Sequence, residues 1–426
     1  MTDDGGVGKD PSRRRLVTIT RADCVALDAD DPLRHLRDEF VLPEGTIYLV
    51  GNSLGAPPKA ASAALTRVVQ EEWAGRLVGG WNAAGWFDLP ETTGDRIAPL
   101  IGAGPGQVVV GDTTSIAVVK AVSAALRLRP GRRVIVSDLE NFPTDRYMVQ
   151  GLVKGLGDYE IRDVRGSEGL AGALDDDVAC VLLSEVDYRT GDRHDTAEVT
   201  ARVQAAGALM IWDLCHSAGA FQVDVTPADF AVGCTYKYLN GGPGAPAFVY
   251  VHPRHQNATE HLLSGWHGHA APFAFEPDYR PAEGIRRFTV STPHVLSFAA
   301  LNASLDVWER VDLAQLRAKS TALTSLFIDL VEELCAPYGL TLVTSRDPER
   351  RGSQVSFAHP DGYPVMRALI DRGVHGDFRA PDVLRFGFAP LYIRFTDAYD
   401  AAVTLAEVLE KEHWREERYR QRLTVT

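Results

Sequence analysis

The stretch FAVGCTYKYLNGGPGAPAFVYVH, residues 230–252, decides how the rest of the chain reads. A strand-like apolar run leads into Lys237, which sits between Tyr236 and Tyr238 and is followed by a Gly/Pro turn. A charged amine on a buried-looking segment is costly, because it gives up water without a partner. One relief is chemical: the amine condenses with an aldehyde to an imine. The alternative is an ordinary surface lysine at a strand end. Only the neighbouring segments decide between the two.

Outward from Lys237, apolar runs alternate with helical patterns. QVVVG, RRVIVSD, VACVLLSEV and ALMIWDL read as strands. TTSIAVVKAVSAALRL, with hydroxyl caps, DRYMVQGLVKGL and TAEVTARVQAAG read as helices. Continuous β-branched runs between helices predict a mainly parallel sheet with helices on both faces, an α/β fold. Past residue 300 the pattern changes to long helices (FAALNASLDVWERV, LRAKSTALTSLFIDLVEEL), short strands (LTLVTS, GSQVSFAH, VLRFGFAP) and a last amphipathic helix over DAYDAAVTLAEVLEKEHWREERYRQR. That predicts a smaller C-terminal α+β domain. At the other end, residues 1–15 read as disordered and 21–42 as a short helical segment. A turn-rich YLVGNSLGAPPKAA and a helix over 58–75 follow. The predicted division is an N-terminal arm (1–64), a large domain (65–298) and a small domain (299–426).

The chain has 426 residues, 45% of them hydrophobic, and a net charge of −13. That is ample for a large core. The acidic balance argues against nucleic acid or an anionic membrane as the main partner. Five scattered cysteines show no metal-ligand spacing, which fits reduced thiols in a cytosol. The N-terminus lacks an apolar signal core and no apolar run approaches the ~20 residues that span a bilayer, so a soluble cytoplasmic protein is expected. GAGPGQ (102–107) precedes a strand instead of opening a helix after one, so it fails as a dinucleotide fingerprint and reads as a turn, as does GGPG (241–244).

Open α/β sheets bind ligands beyond the carboxyl ends of their strands. Three predicted strand ends carry polar residues. After VVVG comes DTTS, opening a helix, where free amides, the helix dipole and the hydroxyls of Thr113, Thr114 and Ser115 make either an anion site or an ordinary N-cap. After VIVSD comes LENFPTD, with Phe142 and Asp145. After ALMIW comes Asp213, and a carboxylate closing an apolar strand needs a partner, of which a pyridinium nitrogen is one. Pyridoxal phosphate asks for a lysine, a carboxylate, an anion site and a flat side chain against its ring. Lys237, Asp213, Thr113 with Thr114, and Phe142 supply them.

Longer motifs then come into view: YLVGNSLG, AGWFDLPETTGDRIAPLIGA, NFPTD, VDYRTG, DLCHSAGA, TYKYLNGGPGAPAFVYV, SGWHGHAAPFAF, STP and LRFGFAPLY. In this order, over residues 45–410, they make the chain resemble the kynureninases, pyridoxal-phosphate enzymes of the aspartate-aminotransferase fold (fold type I). The resemblance implies that Lys237 forms the imine, that Asp213 bonds the pyridine nitrogen with His216 close behind, and that Phe142 stacks on the ring. It implies that Asp145 lies near the cofactor's polar edge, that Thr113, Thr114 and Tyr236 hold the phosphate, and that Ser184 fills a small polar position at its strand end. Trp266 and Thr292 would reach that phosphate from the second subunit of a homodimer. Arg385 would grip the substrate α-carboxylate, with Trp81, Ser53 and His267 also at the substrate. Two positions depart from the family pattern: His267 replaces a large apolar residue, and Cys215 stands where alanine is common. HGH (267–269) has no third ligand at a sensible spacing, so no metal is expected.

The implied reaction is hydrolysis of L-kynurenine to anthranilate and L-alanine. Tyr236 reads either as a phosphate ligand or as a proton relay. The alternatives are another lyase of the same fold, such as a cysteine desulfurase, a kynureninase specialised for a ring-substituted substrate, or a cofactor-binding regulator without catalysis. The first needs a nucleophilic cysteine on a mobile loop, whereas Cys215 and Cys234 flank cofactor motifs. Retention of Lys237, Asp213 and Arg385 argues against the last.

Overall fold

The computed structural model describes residues 19–423, so the expected disorder of residues 1–15 lies outside the described residues. The strands are β1 (Ile47–Tyr48), β2 (Val108–Val110), β3 (Val134–Asp138), β4 (Glu160–Val164), β5 (Val178–Ser184), β6 (Leu209–Asp213), β7 (Phe230–Gly233), β8 (Phe248–Val251), β9 (Thr341–Leu342), β10 (Gln354–Ala358), β11 (Val374–His375), β12 (Asp377–Arg379) and β13 (Val383–Gly387). Seven of them form the central sheet in the order β2-β8-β7-β6-β5-β3-β4. Only β8 runs against its neighbours; the other pairings are parallel. Side chains alternate across a strand, so Met210 and Trp212 enter one core while Leu209 and Ile211 enter the other. Helices Thr114–Leu128 and Pro143–Leu156 cover one face. Helices Thr196–Ala205 and Val295–Trp308 cover the other. Burial on both faces is why these strands read as unbroken apolar runs.

The C-terminal unit is an antiparallel sheet, β12-β13-β10-β9, with helices Leu313–Leu334, Gly362–Ile370 and Phe395–Glu410. The N-terminal segment packs on it. Helix Arg21–Asp30, opened by a Thr20/Asp23 capping box, lies against helix Phe395–Glu410. Asp28 accepts from the backbone N–H of Phe395 (2.6 Å), the first residue of that helix. Asp31 and Lys319 form a buried ion pair at 2.7 Å. β1 then pairs in parallel with β11, which delivers residues 50–55 to the boundary between the two sheets.

Four elements differ from the sequence reading. Edge strand β4 carries the polar pattern EIRDV and is largely exposed, so it lacked the apolar run of its neighbours. Helix Gly362–Ile370 was hidden by Pro364, which is tolerated because it sits in the first turn, where N–H groups have no helical partner. The last helix ends at Glu410, not near the terminus: Glu412 adopts φ +50° and the chain turns back, burying Trp414 and Tyr419. The helix predicted over 58–75 holds a π-helical stretch, Val68–Trp73.

The Asp31–Lys319 pair gives a direct test of how the N-terminal segment is held. Removing one partner strands a buried charge, at about 3–5 kcal/mol. Lys319→Met is expected to lower unfolding free energy by that amount in urea titrations. The double change Lys319→Met with Asp31→Leu should regain most of it. A single variant as stable as the parent would show that the pair does not fasten the segment.

Candidate active site

The carboxyl ends of β3, β5, β6 and β7 open into a cavity of about 250 Å³, lined among others by Thr113, Thr114, Phe142, Asp145, Asp213, Tyr236 and Lys237. Its floor is acidic. Ser184 and Asp213 are direct register partners on β5 and β6, and the Ser184 hydroxyl donates to Asp213 Oδ2 (3.3 Å). Asp213 Oδ1 accepts from the Cys215 N–H (2.9 Å). Asp145, in the first turn of helix Pro143–Leu156, is buried beside it. Burial first, then the neighbouring Asp213 charge, push the Asp145 carboxyl well above the usual carboxylate range. Asp145 Oδ2 has no hydrogen-bond partner in the protein. Two buried carboxyl groups with one orphaned oxygen are a site awaiting a donor, and the protonated nitrogen of a pyridine ring fits that need.

Lys237 stands opposite. Its Nζ is 2.9 Å from His216 Nε2. It lies 5.8 Å from the centre of the Phe142 ring and 5.9 Å from that of Tyr236. Burial first, then the charges of Lys237, Arg385 and Arg379, hold the His216 imidazole well below its usual range. The ring is therefore neutral, and its Nε2 accepts from Lys237 Nζ. Burial likewise raises the Tyr236 phenol, which stays protonated. The loop carrying Lys237 is braced by the N-terminal segment: Gly55 N–H donates to the Tyr236 carbonyl (2.8 Å), and Asn240 Nδ2 to the Ala56 carbonyl (2.9 Å). A Cβ on Gly55 would lie 2.2 Å from the Lys237 carbonyl oxygen, so only glycine fits.

At the third wall, Thr113 is the N-cap of helix Thr114–Leu128, yet its side chain makes no capping bond. The hydroxyl cap read from the sequence is absent, and the exposed Thr113 side chain faces the cavity with the helix N-terminus behind it. Lys237, the acidic floor and this helix start thus surround one space, and the donor set fits a phosphorylated pyridine aldehyde. Cys215 and Cys234 are buried, neither on an exposed loop.

Beside the cavity, though not among its lining residues, stands a charged cluster on β12 and β13. Arg385 on β13 and Asp377 on β12 are cross-strand partners, joined by an Nε–Oδ1 bond of 2.6 Å and a second bond from Nη2 to Oδ2. Ser53 Oγ donates to Asp377 Oδ2 (3.0 Å) and accepts from Arg385 Nη2 (3.2 Å). Burial opposes the charge on Asp377, but Arg385 and Arg379 hold its carboxyl below the usual range. Arg385 Nη1 also donates to the Tyr188 carbonyl (2.5 Å), and the Tyr188 ring packs edge-on against Phe142 (5.3 Å).

Trp81, Trp266, His267 and Thr292 are not lining residues of this cavity. Trp81, Trp86, Phe87, Trp266 and Phe273 form a surface aromatic cluster with centroid spacings of 5.7–6.3 Å. His267 is buried behind Phe87 (4.5 Å), its Nδ1 3.1 Å from Thr289 Oγ1. Thr292 is exposed, at a small cleft that also contains Asp112 and Lys120. Sequence reasoning missed Asp377, Tyr188, Asn141 and the brace at Gly55. Asp377 had a signal: in GDFR it stands two residues before an arginine, on the same strand face. Asn141, which bonds the Leu182 carbonyl and the Ser184 N–H (both 2.9 Å), reads as loop chemistry until β5 is beside it.

A family profile described as the kynureninase C-terminal domain matches residues 316–405. The chain is 53% identical over 414 residues to the kynureninase of Burkholderia pseudomallei, covering 96% of this chain and 100% of that one. It is 52% identical to the kynureninase of Pseudomonas fluorescens over the same shares. Among solved structures it is similar to an apo cysteine desulfurase from Thermococcus onnurineus NA1, with TM-score 0.73 and 20% identity over 88% of this chain and 98% of that one. It is also similar to a C-DES variant with glycine covalently linked to its PLP cofactor, with TM-score 0.75 and 19% identity over 87% and 99%. At that identity the likeness is one of fold, and it bears out the predicted fold-type I architecture.

Gly55→Ala tests the brace. Overpacking against fixed backbone costs about 1–3 kcal/mol, so a loss of that size is expected in urea unfolding. Reductive labelling of Lys237 by a small aldehyde, followed by peptide mapping, should slow as its loop is displaced. Unchanged stability and labelling would show that the contact is slack.

Proposed function

This chain belongs to the kynureninase family, and from that premise we propose that it hydrolyses the Cβ–Cγ bond of L-kynurenine, giving anthranilate and L-alanine, with pyridoxal 5'-phosphate held at Lys237. The observation that carries the reading is the meeting of Lys237 with the Asp145–Asp213 pair across one cavity. When bound, the cofactor supplies an aldehyde for an amine and a protonated ring that stores the electrons of the broken bond.

The chain's own groups take the remaining roles. Asp145, its carboxyl raised by burial and by neighbouring Asp213, stands with Asp213 where a ring cation would be held. Thr113, Thr114 and the helix start take the phosphate, with Tyr236. Phe142 offers its face to the ring. The amine of Lys237 moves protons at the substrate Cα, and neutral His216 beside it holds Nζ in place. Tyr236, held protonated, is a proton donor at the cavity for the departing carbon or the hydrated ketone. Arg385 and Ser53 orient the α-carboxylate.

We read Trp266 and Thr292 as contributions to the cavity of a second copy, in a homodimer whose aromatic surface also brings Trp81 and His267 to the substrate ring. The division into 1–64, 65–298 and 299–426 is kept as the working domain plan. We place the enzyme in the cytoplasm, in tryptophan catabolism by the kynurenine route that also feeds NAD synthesis. Among the described residues no helix is long and apolar enough to cross a membrane.

Lys237→Ala is expected to abolish turnover of L-kynurenine and the imine absorbance, while the protein stays folded by circular dichroism. Borohydride reduction and peptide mapping of the parent should mark Lys237; a mark on another lysine would falsify the assignment.

Ring preference follows from Trp81. Its indole offers a large apolar face, at about 0.5–1.5 kcal/mol beyond area burial, and a single N–H. A 3-hydroxyl on the substrate would shed water without a partner, at about 1–3 kcal/mol. L-kynurenine should therefore exceed 3-hydroxykynurenine in kcat/KM by roughly tenfold or more, and Trp81→His should narrow the gap. A parent that prefers the hydroxylated substrate would overturn the role of Trp81.

A further inference from the structure

The guanidinium of Arg385 is close to saturated by the protein itself. Nε and Nη2 hold the two oxygens of Asp377, Nη2 also reaches Ser53, and Nη1 reaches the Tyr188 carbonyl. Its side chain is only 1% exposed. A carboxylate is gripped best by two parallel N–H groups. Among the described residues these contacts leave Arg385 a single N–H, so it cannot form that fork alone.

Arg379 is placed differently. It lies two residues beyond Asp377 on β12, hence on the same face. Its Nη2 is 3.2 Å from Asp377 Oδ2 and 3.4 Å from Ser53 Oγ. Its side chain is 32% exposed, against 7% for Asp377. Two arginines therefore share one carboxylate, which leaves the cluster one positive charge in excess on the side where Arg379 is open. Arg385 donates to the Tyr188 carbonyl, and the Tyr188 ring packs on Phe142, which lines the cavity, so the cluster stands beside that cavity. Asp377 cannot neutralise both cations; an incoming carboxylate can.

We propose that Arg379 is a substrate-binding residue, supplying the accessible guanidinium for the α-carboxylate of an amino acid held at Lys237, while Asp377 and Arg385 fix its position. The inference rests on the functional reading above and adds a residue to it. The division of labour is specific. Arg385 contributes one N–H and a rigid anchor, Ser53 a hydroxyl, and Arg379, whose Nη1 also donates to the Phe378 carbonyl (3.2 Å), the N–H groups these bonds leave over on its more exposed side chain. Lysine at 379 would keep the charge and lose the planar set of donors.

The test uses the holoenzyme as the parent, Arg379→Lys and Arg379→Gln. Three quantities are measured in each: KM and kcat for L-kynurenine, the dissociation constant of L-alanine by calorimetry, and the inhibition constant of kynuramine, which is kynurenine without its carboxylate. Arg379→Gln is expected to raise KM and the L-alanine constant by roughly 10- to 100-fold. Arg379→Lys should fall between it and the parent, and kynuramine binding should stay within about threefold of the parent. Unchanged KM and L-alanine binding in Arg379→Gln would overturn the proposal. So would kynuramine weakening in step with kynurenine, because Arg379 would then only shape the site. If the parent does not turn over L-kynurenine, the functional reading falls, and the arginine is judged on L-alanine against kynuramine binding alone.

Discussion

The chain buries two carboxyl groups side by side at the carboxyl ends of its central strands, and much of the molecule answers that cost. Asp213 closes β6 because the parallel register with β5 carries it there, next to Ser184. Asp145 arrives from the next connection, at the start of a helix whose dipole favours negative charge. Together the two cannot both ionise cheaply out of water, and Asp145 gives way. What remains is an acidic floor facing Lys237, in a cavity of about 250 Å³. A cation that enters between them is stabilised before any chemistry begins.

The same constraint explains why the N-terminal segment is part of the site. A lysine loop that carries Gly/Pro turns is soft on its own. It is held by Gly55 and Ala56, which reach it because β1 is zipped to β11 and the preceding helix is fastened to helix Phe395–Glu410 by Asp28. The C-terminal sheet and its helices thus brace Lys237 through a segment far from it in sequence, and carry Arg385 directly. The two charged walls of the cavity are tied to one scaffold.

Much of this was legible in the sequence, for physical reasons that differ by element. The central strands showed because burial on both faces keeps them apolar up to their carboxyl ends. Lys237, Asp213 and Thr113 showed because a charged or hydroxyl residue at the end of such a run has no cheap structural role. β4 did not show, since an edge strand needs only one buried face. The helix over 362–370 was masked by a proline that first-turn geometry tolerates. The end of the last helix was misplaced because TLAEVLEKEHWREERYRQR keeps helical composition past Glu410, while the burial of Trp414 and Tyr419 turns the chain back. The least legible feature was partnership. The sequence offers Arg385 as a lone cation, and only the β12–β13 register reveals that Asp377 already occupies its fork.

That partnership changes how the charge balance of the site is understood. On one side stand Lys237 and an acidic floor, on the other two arginines with a single aspartate between them. An α-amino acid is a zwitterion of fixed length, with its amine and carboxylate on one carbon. Placed between these walls it has one favourable orientation: amine toward Lys237, carboxylate toward the arginines. The third substituent on that carbon is left to point elsewhere, away from both charged walls. Charge therefore fixes the end of the substrate common to every amino acid, and leaves the choice among side chains to the surfaces that complete the cavity. In the function proposed above, the aromatic group of Trp81, Phe87 and Trp266 takes the ring end, and it lies outside the chain's own cavity. Recognition of the amino-acid end and of the ring end are then built on separate parts of the sequence. Substitutions at Arg379 and at Trp81 should act on binding independently, as expected for positions that share no partner.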